Sequence, residues 1–182
     1  MDTLSDNSLM LKVKDGDLDK MSLLYERYNR PLYGFLFHMT RQKESSEDLV
    51  QNVFFRMLKY RKSFNGGEFR TWMYHLARNV LNDHFKKVKR MPTYGDLQDF
   101  DEKPVEEHLA DAQIEKQQEL KTLALAMENV SEENRELLIL CRYQELKYNE
   151  VARILNISEG AVKVRVHRAL NQLKNTYLKI EK

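Results

Sequence analysis

Lys147-Tyr-Asn-Glu-Val-Ala-Arg-Ile-Leu-Asn-Ile-Ser-Glu-Gly-Ala-Val-Lys-Val-Arg-Val-His-Arg-Ala-Leu170 reads as helix, tight turn, helix. Val151, Ile154 and Leu155 supply the apolar face of the first helix, and Ala152 is small enough for a second helix to cross closely. Asn156 is a residue that tolerates the left-handed conformation a sharp turn needs. Ile157 plugs the corner and Ser158 is placed to cap the second helix. Val162, Val166, Leu170 and Leu173 then point inward, which leaves Glu159, Lys163, Val164, His167 and Arg168 outward. Such a pair suits duplex DNA, because a helix fits the major groove and its N-terminal side chains reach base edges. The competing reading, an ordinary helical hairpin, explains neither the turn residue nor the cap nor the small contact together.

Upstream of this pair the signals are also helical. Ser131 is placed to cap a helix burying Leu137, Leu138, Leu140 and Cys141, and Asp111 to about Asn129 forms another with Ile114, Leu120, Leu123 and Met127. Before these, Pro92 to about Asp111 holds two of the three prolines and little apolar periodicity, and reads as a tether. In the N-terminal part, a short helix covers Ser8 to Lys14 and stops at Gly16. A second, from about Asp19, places Met21, Leu24, Tyr25, Tyr28 and Leu32 on one face, with Pro31 expected to kink or interrupt it. A third opens at Ser45-Ser46-Glu47-Asp48, Ser45 capping, with Leu49, Val53, Phe54, Met57 and Leu58 as its core face. The loop from Lys62 to Glu68 carries paired glycines. The fourth helix, Phe69 to about Lys89, repeats Phe69, Trp72, Met73, Leu76, Val80, Leu81 and Phe85 at helical spacing. Arg70, Tyr74, Arg78, Asn82, Lys86 and Lys89 form a basic stripe along another of its faces. The spacing of Trp72 favours core over base stacking.

The fold expected is all-α: two small helical domains joined by an acidic flexible linker, the C-terminal one containing the helix-turn-helix. The bounds are 1–91, 92–111 and 112–182. In 182 residues, only six Gly and three Pro argue against an all-β fold. No apolar run approaches the ~18 residues of a membrane span. Met1 to Ser8 shows no basic stretch followed by an apolar one, so a cytoplasmic protein without a secretory signal is expected. The single cysteine, Cys141, allows no internal disulfide and is expected to be inert core.

Charge is nearly balanced overall, 30 Lys and Arg against 28 Asp and Glu, but unevenly distributed. Arg56 to Arg90 holds ten basic residues against Glu68 and Asp83, whereas Asp96 to Glu119 holds nine acids against Lys103 and Lys116. From Asn156 onward the count is six basic to two acidic. Two basic segments around an acidic one suit polyanion-binding modules. An enzyme is disfavoured: His38, His75, His84, His108 and His167 are scattered without metal-ligand spacing, and Glu44, Glu47 and Asp48 have the plain explanation of a helix start. No cofactor or metal is expected.

Three stretches together resemble the bacterial RNA polymerase sigma factors of the extracytoplasmic-function group. They are Glu47-Asp48-Leu49-Val50-Gln51-Asn52-Val53-Phe54, then Phe69-Arg-Thr-Trp72-Met-Tyr-His-Leu-Ala-Arg-Asn79, then Glu150 to Ala169. The resemblance implies a non-enzymatic protein that binds core RNA polymerase, directs it to promoters and helps separate the strands. It implies polymerase contacts at Asp48, Gln51 and Phe54. It implies handling of the −10 element, duplex and displaced strand, by Ser63, Asn65, Arg70, Tyr74, Arg78, Asn79 and Asn82. Lys86 and Lys87, with Lys89 and Arg90, read as phosphate contacts. For the −35 element it implies Ser158, Glu159, Lys163, Val164, Arg165, His167 and Arg168. It also implies an anti-sigma factor as partner, and a linker that follows the RNA-exit path, where its acids would imitate nucleic acid. Lys147, Ala161 and Val164 depart from the residues common in the family, so the −35 preference is expected to be its own. The alternative is a helix-turn-helix regulator that acts without replacing the polymerase specificity subunit.

Overall fold

A computed structural model describes residues 4–91 and 111–181, with the side chains of 111–113 outside that description. The acidic stretch 92–110, including His108, lies outside the described residues. Within them the chain is helical: α1 (Asp6–Lys14), α2 (Lys20–Thr40), α3 (Lys43–Lys59), a 3₁₀ turn (Arg61–Ser63), α4 (Phe69–Arg90), α5 (Asp111–Glu128), α6 (Glu132–Leu138), a π-helical turn (Ile139–Tyr143), α7 (Tyr148–Leu155) and α8 (Glu159–Ile180). No helix among the described residues is long and apolar enough to cross a membrane.

The N-terminal helices begin and end for identifiable reasons. Ser5 Oγ accepts the Ser8 N–H at 3.2 Å and so starts α1, which buries Leu9, Met10 and Val13. Gly16, with φ of +111°, allows the reversal into α2. Pro31 does not interrupt α2. A proline in a helix interior removes a hydrogen bond and costs ~3 kcal/mol. Met21 and Leu24 on one side of it, and Leu32, Phe35, Leu36 and Met39 on the other, are buried in one continuous core. That burial holds the two halves of the helix in line.

Ser45 does not cap α3, which begins two residues earlier at Lys43 with Gln42 in an extended conformation before it. Ser45 Oγ instead donates to Gln42 Oε1 at 2.8 Å, and the buried Ser46 donates to the Gln42 carbonyl at 2.6 Å. Burial falls on Leu49, Val50, Val53, Phe54 and Met57.

In the C-terminal part the turn Val130–Ser131 is clamped by Arg135, whose guanidinium donates to the carbonyls of Glu128 (2.7 Å) and Val130 (3.1 Å). Ser131 adopts the conformation that precedes a helix, but its side chain makes no capping bond. Ile114 and Leu120, read as core, are 54% and 57% exposed. The inner side of α5 is carried by Met127, as its spacing predicts, together with Thr122 and Ala126. The π-helical turn buries Ile139 and Leu140.

Helices α2 and α4 pack against the π-helical turn and α7, so a single apolar cluster runs from Leu9 to Ala169. The stripe Arg70, Tyr74 and Arg78 lies along this seam. Sequence spacing had placed it on an open basic face.

Candidate nucleic-acid and polymerase interface

The helix-turn-helix forms as its residues require. Asn156 sits in the left-handed region (φ 55°, ψ 48°) and closes α7. The Ile157 N–H returns to the Ala152 carbonyl at 3.0 Å. Ser158 Oγ accepts the Ala161 N–H at 3.1 Å, satisfying one of the free donors at the start of α8. Lys147 cannot cap α7, yet its backbone N–H donates to Glu150 Oε2 at 2.8 Å, half of a capping box. Val151 and Ile154 of α7 face Val162 and Val166 of α8, all buried.

This places Glu159, Lys163, Val164, Arg165, His167 and Arg168 on the exposed side of α8. Lys163 pairs with Glu159 at 3.2 Å, and His167 shares a hydrogen bond with Asn171 at 3.2 Å. Both are exposed one-turn pairs that a phosphate could displace. Val164, 50% exposed, puts an apolar group among the cations, of the kind that meets a thymine methyl.

On α3, Asp48, Gln51 and Asn52 are exposed. Phe54 is 6% exposed and packs on Tyr25, ring centres 4.8 Å apart, so it lies beneath the surface. The aromatic that α3 presents outward is Phe55, 63% exposed. Its side of the helix could be read from spacing, since Phe54 continues the Val50 row and Phe55 cannot. An ion pair between Arg56 and Asp83, 2.6 Å, ties α3 to α4.

The loop after α3 leaves Asn65 exposed and Phe64 buried under Phe69 and Trp72. Trp72, half-buried in this aromatic group, is a support for the loop. Ser63 Oγ donates to the Tyr60 carbonyl at 2.7 Å. Asn79, Asn82, Lys86 and Lys87 are exposed along α4, the last two lining an open cleft with Asp83, Arg90 and Met91.

Arg70, Tyr74 and Arg78 are held otherwise. Arg70 donates to the Gln144 carbonyl at 3.0 Å, with Glu150 at 3.8 Å. The Tyr74 hydroxyl donates to Gln144 Oε1 at 2.7 Å, and the side chain is 2% exposed. Arg78 grips Glu136 through two nitrogens, at 2.6 and 3.2 Å, and reaches the Ile154 carbonyl at 3.0 Å with the third. Arg41 adds a pair with Glu128 at 3.0 Å, and His38 packs at a tilt against Tyr143. Burial pushes the Tyr74 hydroxyl well above its ordinary pKa, so it stays a proton donor to Gln144. Glu136 and Gln144 carried no signal in the sequence, because their partners on α4 lie 58 to 74 residues away. Cys141 is half-buried, and burial pushes its thiol up to about 11.

Comparison with known proteins agrees with this geometry. Residues 24–91 match the family model of Sigma-70 region 2, and residues 120–173 that of Sigma-70, region 4. The chain is 32% identical to the ECF RNA polymerase sigma factor SigX of Bacillus subtilis (strain 168), covering 86% of this chain and 82% of that protein. It is 30% identical to ECF RNA polymerase sigma factor SigM of the same organism, with 85% and 93% covered. Among solved structures, CnrH in complex with the cytosolic domain of CnrY shares the fold with a TM-score of 0.70 at 19% identity, over 93% of this chain and 95% of that one. RpoE, solved with the anti-sigma factor NepR from Bartonella quintana, shares it with a TM-score of 0.63 at 23% identity, over 91% and 99%.

Proposed function

The chain belongs to the extracytoplasmic-function group of RNA polymerase sigma factors and directs the polymerase to promoters, and we propose how its surfaces divide that work. The observation that carries the reading is that α8 presents an exposed, mainly cationic face, on a framed helix-turn-helix, in the same chain as the region 2 helices.

In this division α8 enters the major groove of the −35 element. Arg165 and Arg168 read base edges there, Lys163 takes a phosphate, and Val164 contributes an apolar contact. Asp48 and Gln51, with Phe55 beside them, face core polymerase, and Phe54 shapes that surface from below. The loop from Ser63 to Glu68 receives the displaced −10 strand, with Asn65 foremost, while Asn79, Asn82, Lys86 and Lys87 follow its backbone. Arg70, Tyr74 and Arg78 complete this surface only after the C-terminal helices leave it, because the same donors cannot serve Glu136, Gln144 and a DNA strand at once. The closed form is therefore the resting form, and polymerase binding separates the halves.

The protein works in the cytoplasm with the polymerase, catalyses no reaction of its own and uses no cofactor. RpoE was solved with an anti-sigma factor. A partner of that class that favours the closed form fits this chain.

Run-off transcription with core polymerase and a pool of genomic promoter fragments, with and without the protein, tests the reading. New transcripts sharing upstream motifs are expected. Binding to palindromic duplex by the free protein, with no new transcript, would instead mark a regulator.

A further inference from the structure

Helix α1 carries none of the residues assigned to DNA or polymerase, yet its side chains hold the loop before α4 at both ends. Lys14 Nζ donates to the Phe64 carbonyl at 2.6 Å in a partly buried contact. Asn7 Oδ1 accepts the Phe69 N–H at 2.8 Å. Between them, Leu11 Cδ2 lies 3.8 Å from where a Cβ would stand on Gly66, which has φ of +83°. Inside the loop, Asn65 Oδ1 accepts the Gly67 N–H at 3.2 Å, which turns the chain and leaves the Asn65 side chain exposed.

These contacts are specific in kind. Glu68, which precedes α4, offers no side-chain cap, so the first free donor of that helix is satisfied from α1. Lys14 places a charge on a backbone carbonyl within the fold, where a solvated lysine would do for solubility. Helix α1 is itself anchored: Asp6 accepts hydrogen bonds from Arg27 and from the Tyr28 hydroxyl of α2. A loop containing Gly66 and Gly67 samples many backbone conformations unless its ends are fixed. Fixing both ends means that little conformational entropy remains to be lost when a strand enters it.

We propose that α1 is a brace for strand capture, with Asn7 and Lys14 as positioning residues that keep the loop from Phe64 to Phe69 in the shape that receives the displaced −10 strand. This rests on the loop's role given above. The residues act through the loop, and neither touches the DNA.

The test uses the full chain with core polymerase and one promoter in two forms, fully duplex and pre-melted across the −10 element. Lys14→Met and Asn7→Ala are each expected to lower run-off transcription from the duplex form about tenfold, the scale of one lost hydrogen bond to a charged or helix-end group. They are expected to leave the pre-melted form within about twofold, since strand separation is then supplied. Lys14→Arg and Asn7→Asp, which keep the donor and the acceptor, should restore the duplex form. Thermal melting of each variant identifies any that is unfolded, and the conservative pair then carries the comparison. Equal losses on both templates, or no loss on either, would overturn the brace. Failure of the unsubstituted protein to support any transcript would overturn the underlying function instead.

Discussion

Arg78 of α4 and Glu136 of α6 form a two-nitrogen, two-oxygen pair, at 2.6 and 3.2 Å, across the seam between the region 2 and region 4 helices. The side chains are 27% and 13% exposed, so solvent screens the pair only partly. The carboxylate occupies the guanidinium edge that, in the proposed division, Arg78 would offer to a DNA phosphate.

Glu136→Gln separates these roles, because it removes the charge and leaves Arg78 intact. The seam should weaken by about 1–2 kcal/mol, the scale of a partly buried charged hydrogen bond. Free Glu136→Gln protein is expected to bind a −10 single strand about tenfold more tightly than the unsubstituted chain, by fluorescence anisotropy. It should also show a larger radius of gyration in solution scattering. Equal affinity and equal size would show that this pair does not hold the halves together.

The seam should also respond to acid. His38 packs at a tilt against Tyr143 with ring centres 4.3 Å apart, and His75 is partly buried on α4. Burial first, and then Arg41 for His38 and Arg78 for His75, push both imidazoles below the ordinary 6.5. Groups with a depressed folded pKa contribute stability that is complete above 6.5 and is lost as pH falls through the folded values. The melting temperature is therefore expected to fall with acidification below pH 6.5, and the double variant His38→Gln, His75→Gln should fall less steeply.

Asn156 offers a clean backbone test. Its φ of 55° and ψ of 48° are tolerated by Asn and Gly but cost other residues about 1–2 kcal/mol. Asn156→Ala should lower the urea midpoint correspondingly and weaken −35 binding, whereas Asn156→Gly should stay near the original on both measures.

Along α8, the phosphate and base roles predict different signatures. Lys163→Ala should weaken all promoters alike and reduce the salt dependence of binding by about one ion. Arg168→Ala should cost ~1–3 kcal/mol and relax selection at one −35 position. A randomised −35 library, selected by holoenzyme at two salt concentrations, distinguishes them.

The sequence alone was enough for the helix-turn-helix, and for the order of helices around it. The determinants of that motif are local: Asn156 sets one turn, Ser158 caps the next helix, and the series Val162, Val166, Leu170 and Leu173 keeps one face at helical spacing, which strand alternation cannot do. The outward positions of α8 follow from the same spacing, and remain outward because nothing in the described structure packs on them.

Tertiary structure decided the rest. Proline chemistry at Pro31 favours a break, but the burial of Leu24 and Leu32 on either side outweighs the lost hydrogen bond. Spacing puts Ile114 and Leu120 on an apolar row, but among the described residues nothing covers that part of α5. Tyr74 and Arg78 read as one open basic stripe, and become seam residues through Gln144 and Glu136, 70 and 58 positions away. Helical periodicity tells which side chains share a face. Which faces meet is set by contacts between distant segments, and only the packed chain determines those.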